Sequence, residues 1–139
     1  MAEEKKPAPA AGGGRANTKK ELPEHFKAYK HVWVAVEIEH GQVHSVSFEL
    51  LGEGRKLADK RGVELAACVM GDDRASLEEA AKACFEYGTD CVYVVQDPAL
   101  KHYRNETSTK VLTDLVNTYQ PEILLLGATN LGRDLAGSV

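Results

Sequence analysis

The chain has 139 residues, 43% of them hydrophobic, which is enough for one domain with a modest core. Its formal net charge of −4 is unevenly spread, because residues 1–30 carry seven basic and four acidic side chains and the remainder is acidic. An acidic body argues against nucleic acid as the main partner, since phosphate backbones bind basic surfaces. No apolar run is long enough for a membrane span or a signal peptide, so we expect the cytoplasm of a prokaryote.

Residues 1–28 are predicted to form a flexible N-terminal tail. They are rich in Ala, Pro and Gly, with scattered Lys and Glu and almost no periodic apolar pattern. Such a composition cannot bury enough apolar surface to offset its chain entropy. The folded domain is therefore expected over residues 29–139.

The first predicted elements are a strand, a turn and a helix. Val32–Val36 is a near-continuous apolar run, which is typical of a parallel strand covered on both faces. Gly41 marks a turn after it. Ser45 or Ser47 is expected to cap a helix that ends at Gly62.

Two glycines inside that helix, Gly52 and Gly54, indicate either close packing against the sheet or a local break. Val63–Met70 is the second predicted strand. Ser76–Glu79 has the pattern of a capping box and is expected to begin a second helix, which ends at Gly88. The apolar face predicted for that helix consists of Leu77, Ala80, Ala81, Cys84 and Phe85.

The second half repeats the alternation. Cys91–Val95 is the third predicted strand, and a loop follows that contains Pro98 and Tyr103, a residue expected to pack with its hydroxyl in water. A third helix ends before Pro121, and Ile123–Leu126 is the fourth strand. The predicted apolar face of the third helix consists of Val111, Leu112, Leu115, Val116 and Tyr119.

Alternating strands and helices are typical of a parallel sheet with helices on both faces, here an α/β fold of the Rossmann-like, adenine-nucleotide-binding type. The sequence stops about two turns into the helix expected after the fourth strand. A domain rarely ends there, because that helix has hardly begun to cover the sheet. We therefore expect an incomplete domain, truncated at its C-terminal end.

Cysteine and histidine spacing predicts neither a catalytic residue nor a metal site. Cys68, Cys84 and Cys91 lie in apolar segments without a C-x-x-C pair, which favours buried thiols in a reducing compartment. The five histidines do not cluster, and no nucleophile, base or carboxylate pair is recognisable from spacing.

Two strand ends are candidate binding positions, because ligands of open parallel sheets bind beyond the carboxyl ends of the strands. One is Glu37–Glu39 and the other is the loop that begins at Gly127. Gly127 allows a sharp turn, and Thr129 or Asn130 can cap the following helix. The candidate cofactor-binding or interface residues are Gly127, Thr129, Asn130, Gly132, Arg133 and Asp134.

A phosphate-like ligand is one interpretation of this loop. Free amides of Leu131, Gly132 and Arg133 would face an anion, and the Arg133 guanidinium suits phosphate or carboxylate. In the other interpretation, Arg133 and Asp134 pair across a subunit contact. The loop is neither a Walker A motif nor the Rossmann glycine fingerprint.

Four segments, in order and at family spacing, resemble electron-transfer flavoprotein α subunits. They are Val32–Val34, Val46–Asp59, Val92–Val95 and Pro121–Ala136. The resemblance implies that residues 29–139 are the N-terminal α/β domain of such a subunit, paired with a β subunit. It also implies FAD held mainly by a C-terminal domain that this chain lacks, so no flavin-binding residue is assigned.

Within that family, Leu22–Lys30 and the ending Ala136–Val139 resemble the Fix type of nitrogen-fixing bacteria. The type implies a second flavin in the β subunit that bifurcates electrons from NADH. One electron goes to ferredoxin or flavodoxin, and the other reaches quinone through a membrane-associated flavoprotein. This domain would then be a non-catalytic scaffold of an electron carrier, with Arg133 and Asp134 at a domain or subunit boundary.

Two other functions remain open from the sequence. The strand–helix alternation is shared by universal stress proteins, which implies a stand-alone module that binds AMP or ATP. A pure interaction domain without any ligand is the third possibility.

Overall fold

The computed structural model describes Glu24 and residues 28–139, so most of the predicted tail lies outside the described residues. The strands are β1 (Val32–Ala35), β2 (Ile38–Glu39), β3 (Gln42–Val43), β4 (Leu65–Gly71), β5 (Cys91–Gln96) and β6 (Ile123–Leu125). The helices are α1 (Ser45–Arg61), α2 (Arg74–Glu86), α3 (Asn105–Tyr119) and α4 (Asn130–Ala136), with a 3₁₀ turn at Pro98–Leu100.

The main sheet is parallel throughout and has the order β5-β4-β1-β6. Val32 in the central strand pairs with Leu65 on one side and Ile123 on the other. These strands are the four that the apolar runs predicted, with ends shifted by one or two residues. The strands β2 and β3 form a small antiparallel hairpin, of which only the turn at Gly41 was predicted. His40 and Gly41 in this turn both have positive φ.

Helices cover both faces of the sheet, which confirms the predicted α/β class. Successive strand residues point to opposite faces. Val32 and Val34 pack in the larger core with Leu51 of α1, whereas Trp33 packs in the smaller core with Leu112 of α3. The two cores together contain the fully buried side chains of β1 and β4, as expected for strands covered on both sides.

The cap of α1 differs from the prediction. His44 is the N-cap residue, and its Nδ1 accepts a hydrogen bond from the Val46 amide at 3.1 Å. Ser45 is instead the first helical residue, and the Ser47 hydroxyl accepts from the Glu37 amide at 2.8 Å. A histidine nitrogen therefore provides the acceptor that serine usually supplies.

The predicted capping box of α2 is also wrong. Asp73 is the N-cap, and its carboxylate accepts hydrogen bonds from both the amide and the hydroxyl of Ser76. The acidic side chain that precedes the helix is a stronger acceptor than a serine hydroxyl, so the helix begins earlier, at Arg74. Gly62 does end α1 as predicted, with φ of 64°.

Close packing, and not a break, explains Gly54. A Cβ atom there would lie 2.8 Å from Leu65 Cδ1, whereas one at Gly52 would have no atom within 4 Å. The apolar stripe of α2 was predicted too wide at its end, because Phe85 is 52% exposed. Tyr119 is 51% exposed, but its ring packs against Trp33 and Tyr93. Both aromatic residues lie in the last turn of their helix.

The amino edge of the sheet, where the parallel strands begin, is closed by ion pairs from α1. Arg55 donates to Asp90 Oδ2 at 2.8 Å, and that oxygen also accepts from the Leu65 amide at 2.9 Å. Arg61 pairs with Glu122 just before β6. The Arg55 guanidinium and the Leu65 amide hold the pKa of Asp90 below its usual value.

Candidate functional site

The candidate site lies at the carboxyl edge of the sheet, between β1 and β6. From β1 the chain crosses to β4 and β5, and it then returns past β1 to form β6 on the other side. The strand order therefore reverses between β1 and β6, which is where ligands of open α/β sheets bind. Glu37 follows β1 at this point, and the loop from Gly127 follows β6.

The loop from Gly127 to Gly132 is closed by its own backbone and by Thr129. Thr129 caps α4, and its hydroxyl accepts from the Gly132 amide at 3.0 Å. The Arg133 amide donates to the Thr129 carbonyl oxygen at 2.9 Å. Two of the three amides that were expected to be free for an anion are thus already engaged within the loop.

Close contact requires glycine at position 132 and leaves little room for a side chain at Gly127. A Cβ atom at Gly132 would lie 2.0 Å from the Gly127 carbonyl oxygen, a distance that no side chain can occupy. A Cβ atom at Gly127 would lie 3.1 Å from both Glu37 Oε1 and Val46 Cγ1. The glycines therefore let the first turn of α4 lie directly on the end of β6 and on Glu37.

Glu37 connects the two strand ends. Its Oε1 accepts a hydrogen bond from the Thr129 hydroxyl, 92 residues further along the chain. Its backbone amide donates to Ser47, and its carbonyl oxygen accepts from the His44 amide at 2.9 Å. A fixed carboxylate at this position disfavours a second anion nearby, which is a further reason against the phosphate interpretation.

Asp134 is held within its own chain. It accepts a hydrogen bond from the Tyr103 hydroxyl at 2.6 Å and from Asn105 Nδ2 at 2.9 Å. These donors, Tyr103 first, lower the pKa of Asp134, and burial together with Asp134 raises the pKa of Tyr103. The arrangement ties α4 to the start of α3, a role for Tyr103 and Asn105 that no sequence motif indicated.

The structure brings some of the candidate residues together and leaves others apart. Gly127 and Gly132 are buried, and Thr129 is half-buried beside Glu37. Asn130 and Arg133 are exposed, and neither side chain has a hydrogen bond or ion pair among the residues that the structure describes. A cofactor or interface role for these residues stays a prediction.

A cavity of about 120 Å³ lies beneath this loop, at the ends of β1, β4 and β6. Its walls combine aliphatic side chains with polar ones, which belong to Glu37, Lys101, Tyr103 and Ser108. Ser108 of α3 is a buried residue, only 6% exposed. Ligand pockets for drug-sized molecules usually have about 300 Å³ or more. Ser108 lies one turn before Leu112 on the apolar face of α3. A polar residue on that apolar face is the sequence signal that could have indicated the cavity.

The cysteines show no sign of activation. Burial raises the pKa of the Cys68 thiol to about 12 and that of Cys84 to about 11, so neither forms a thiolate readily. Both are buried as predicted, and Cys91 is half-buried. Across residues 28–139, no three His, Cys, Asp or Glu side chains form a group that could hold a metal ion.

None of the helices in the described part of the chain combines the length and the apolar character that a membrane crossing requires.

A comparison of the sequence with known protein families agrees with this fold. The family model of the electron transfer flavoprotein domain matches residues 32–139, from the start of β1 to the end of the chain. The match includes both strand ends of the candidate site. The chain therefore belongs to the electron transfer flavoprotein domain family.

Individual relatives show which members of the family this chain resembles. The protein FixB of Azorhizobium caulinodans is 67% identical over all 139 residues, which make up 38% of that protein. The electron transfer flavoprotein subunit alpha of Thermoanaerobacterium thermosaccharolyticum is 43% identical over 108 residues, which cover 78% of this chain and 32% of that subunit. The chain thus spans well under half the length of these relatives.

Among solved structures, a universal stress protein in complex with cAMP is similar, with a TM-score of 0.49 and 17% identity. The similarity covers 80% of this chain and 90% of that one.

Proposed function

We propose that this chain is the N-terminal α/β domain of an electron-transfer flavoprotein α subunit and that it serves as a scaffold within that subunit. The family match across residues 32–139 carries the proposal. FAD is then held by a further domain of the α subunit, outside these 139 residues. Electron transfer is the activity of the assembled flavoprotein, to which this domain contributes no catalytic residue.

The geometry of the carboxyl edge supports a scaffold. Glu37 and Thr129 bond to each other, and Asp134 bonds to Tyr103, so these polar groups hold the domain together. The adjoining cavity of about 120 Å³ is far smaller than a dinucleotide requires. Arg133 is exposed beside these contacts, and we place it at a boundary with another domain or with the β subunit.

The similarity to FixB motivates a finer proposal for the whole assembly. In it, a heterodimer with the β subunit bifurcates electrons from NADH in the cytoplasm of a nitrogen-fixing bacterium. A ferredoxin or flavodoxin takes one electron. Quinone receives the other through a membrane-associated flavoprotein.

Flavin content tests the assignment. The complete natural gene is expressed together with its β subunit, and the visible spectrum of the purified complex is recorded. We expect the absorption bands of oxidised flavin, and a colourless complex would exclude the flavoprotein assignment. The 139-residue chain purified alone is the control, and a yellow control would contradict the placement of FAD in another domain.

The intact mass of the natural protein tests the domain organisation. We expect about twice the 15.1 kDa of these 139 residues, or more, because the proposal adds a flavin domain of ordinary size. A natural protein of 15.1 kDa would mean a short, independent chain. The scaffold role within a larger subunit would then be wrong.

A stand-alone module for AMP or ATP is the main competing function. The cavity at the reversal of strand order favours it, but the engaged amides of Gly132 and Arg133 and the carboxylate of Glu37 oppose a phosphate there. Titration calorimetry and thermal shift with AMP and ATP separate the two functions. We expect neither heat nor a shift, and micromolar binding would favour the nucleotide module.

A further inference from the structure

The outer edge of β5 is open and lacks the usual protection of an edge strand. Among the residues that the structure describes, β4 is the only strand that pairs with β5. Because the outward N–H and C=O groups of an edge can pair with another strand, proteins usually shorten such edges or place charges, proline or a bulge there. The other edge strand, β6, has three residues. β5 has six, without a charge or a proline, and its register with β4 has no bulge.

Exposed apolar side chains lie beside this edge on the face of the sheet that α2 covers. Val94 in the middle of β5 is 47% exposed. α1 packs on β1 and β4 and α2 on β4 and β5, so the flank of α2 away from α1 faces the open edge. Tyr87 at the end of α2 stacks on Phe48 of α1, with ring centroids 4.3 Å apart. Phe85 precedes Tyr87 by two residues and therefore points to the other flank, toward the open edge.

The opposite face of the sheet also presents aromatic surface at this edge. Tyr93 of β5 packs against Tyr119 of α3, with ring centroids 4.5 Å apart, and Tyr119 is half exposed. Apolar side chains thus flank the open strand on both faces. A sheet edge of this form can accept one more strand, whose backbone pairs with the edge and whose alternate side chains contact the two faces.

The charge around β5 selects the kind of strand that fits. The stretch from Ala83 to Leu100 contains three acidic side chains and no basic one. Arg55 neutralises Asp90 before the strand, whereas Asp97 after it is exposed and pairs with no cation among the described residues. Residues 31–139 carry ten basic and seventeen acidic side chains, so two copies of this domain repel each other. A basic strand is attracted to the same surface.

We propose that the open edge of β5 is a docking site for one strand of another protein, with alternating apolar side chains and with Lys or Arg at the end beside Asp97. The backbone of that strand pairs with β5. Its apolar side chains cover Val94 and Phe85 on one face of the sheet and Tyr119 on the other. The proposal does not depend on the flavin assignment, because the edge belongs to the domain itself.

Binding of fluorescently labelled peptides to the natural full-length protein tests the site. The probe is a short peptide of alternating Val and Thr with Lys at both ends. One comparison peptide has Glu at both ends, and another has Pro in place of the central Val. We expect saturable binding of the Lys peptide, about tenfold weaker binding of the Glu peptide, and none of the Pro peptide, because proline removes a ladder hydrogen bond. Equal binding of all three, or no saturable binding of the Lys peptide, would overturn the proposal.

Two variants locate the binding. Val94→Lys places a charge on the edge and should weaken the Lys peptide at least about tenfold, while Val94→Thr keeps the strand preference and should change little. Asp97→Asn removes the charge but keeps the acceptor of the Ala99 amide, and should weaken the Lys peptide about threefold. Asp114→Asn, which removes an exposed charge on α3, is the matched control. Unchanged binding to Val94→Lys would contradict the site.

Sedimentation velocity distinguishes a partner from a second copy of this chain. We expect no self-association that depends on Val94, because the domain is acidic. A concentration-dependent dimer that Val94→Lys dissociates would make a second copy the occupant of the edge. That result would overturn the basic partner.

Discussion

At the amino edge of the sheet, Arg55 and Arg61 reach from α1 to Asp90 and Glu122, and these polar groups are mutually paired. At the carboxyl edge, close glycine contacts and hydrogen bonds from the neutral donors Thr129 and Tyr103 close the structure. The amino edge is thus held by ion pairs between side chains. The carboxyl edge is held by close backbone contacts and neutral donors, at the position where ligands of parallel α/β sheets usually bind.

The largest effect is expected for Gly132→Ala at the carboxyl edge. Its Cβ atom would lie 2.0 Å from the Gly127 carbonyl oxygen, so the backbone of the loop must move. We expect a loss of about 3 kcal/mol in the free energy of unfolding, measured with urea. Gly52→Ala is the control, because nothing lies within 4 Å and the helix should gain about 0.5–1 kcal/mol. Equal effects of the two substitutions would refute the close contact.

A smaller loss is expected for His44→Ala, also at the carboxyl edge. The substitution removes the Nδ1 acceptor of the Val46 amide at the start of α1. Loss of an N-cap acceptor costs about 1 kcal/mol, to be measured by urea unfolding. His44→Asn restores an acceptor and should recover most of this loss, while His102→Ala, at an exposed histidine, should change little.

Asp90→Asn probes the amino edge. We expect a loss of about 0.5–1 kcal/mol at neutral pH, because the ion pair with Arg55 is partly exposed to solvent. The lowered pKa of Asp90 means that its stabilisation is present above the ordinary pKa of about 4 and disappears as the pH falls through the lowered value.

Unfolding of Asp90→Asn and the unmodified protein across acid pH checks this sign. The two stabilities should converge in strong acid, and a difference that persists there would exclude the ion pair as its cause. Asp114→Asn is the control, because its partner Lys110 lies on the same exposed helix face and the effect should stay within a few tenths of a kcal/mol.

The smallest effect is expected for Tyr103→Phe, which should raise the pKa of Asp134 toward its ordinary value. The Tyr103 hydroxyl is the main donor that lowers that pKa, and Asn105 remains as the second. NMR titration of the Asp134 carboxyl carbon measures the change. Tyr87→Phe removes an exposed hydroxyl elsewhere and should leave Asp134 unchanged. An unaltered pKa of Asp134 in Tyr103→Phe would contradict the hydrogen bond between Tyr103 and Asp134.

Local sequence patterns predicted the strands and helices well, because each element depends on neighbours in the chain. The apolar run at Val32–Val36 and the stop at Gly62 are of this kind. Caps were less predictable. His44 and Asp73 compete with nearby serines for the same amides, and the outcome depends on how the chain enters the helix.

The candidate site was predicted only in part. The loop from Gly127 and the end of β1 both stood out, and a hydrogen bond from Thr129 to Glu37 joins them, while a binding or interface role for them stays a prediction. The anion expected at the Gly132 amide was not supported, because helix capping uses that amide first. Asp134 accepts a hydrogen bond from Tyr103, 31 residues away, and spacing along the chain does not predict such a pair.

The amino-acid sequence alone determined the α/β alternation, the parallel sheet and the family, because these depend on periodicity and on the order of residues. Only the tertiary structure decided which polar groups of the loop Gly127–Asp134 are hydrogen-bonded within the domain. There the distance between Glu37 and Thr129 in space, and not along the chain, sets which groups are engaged.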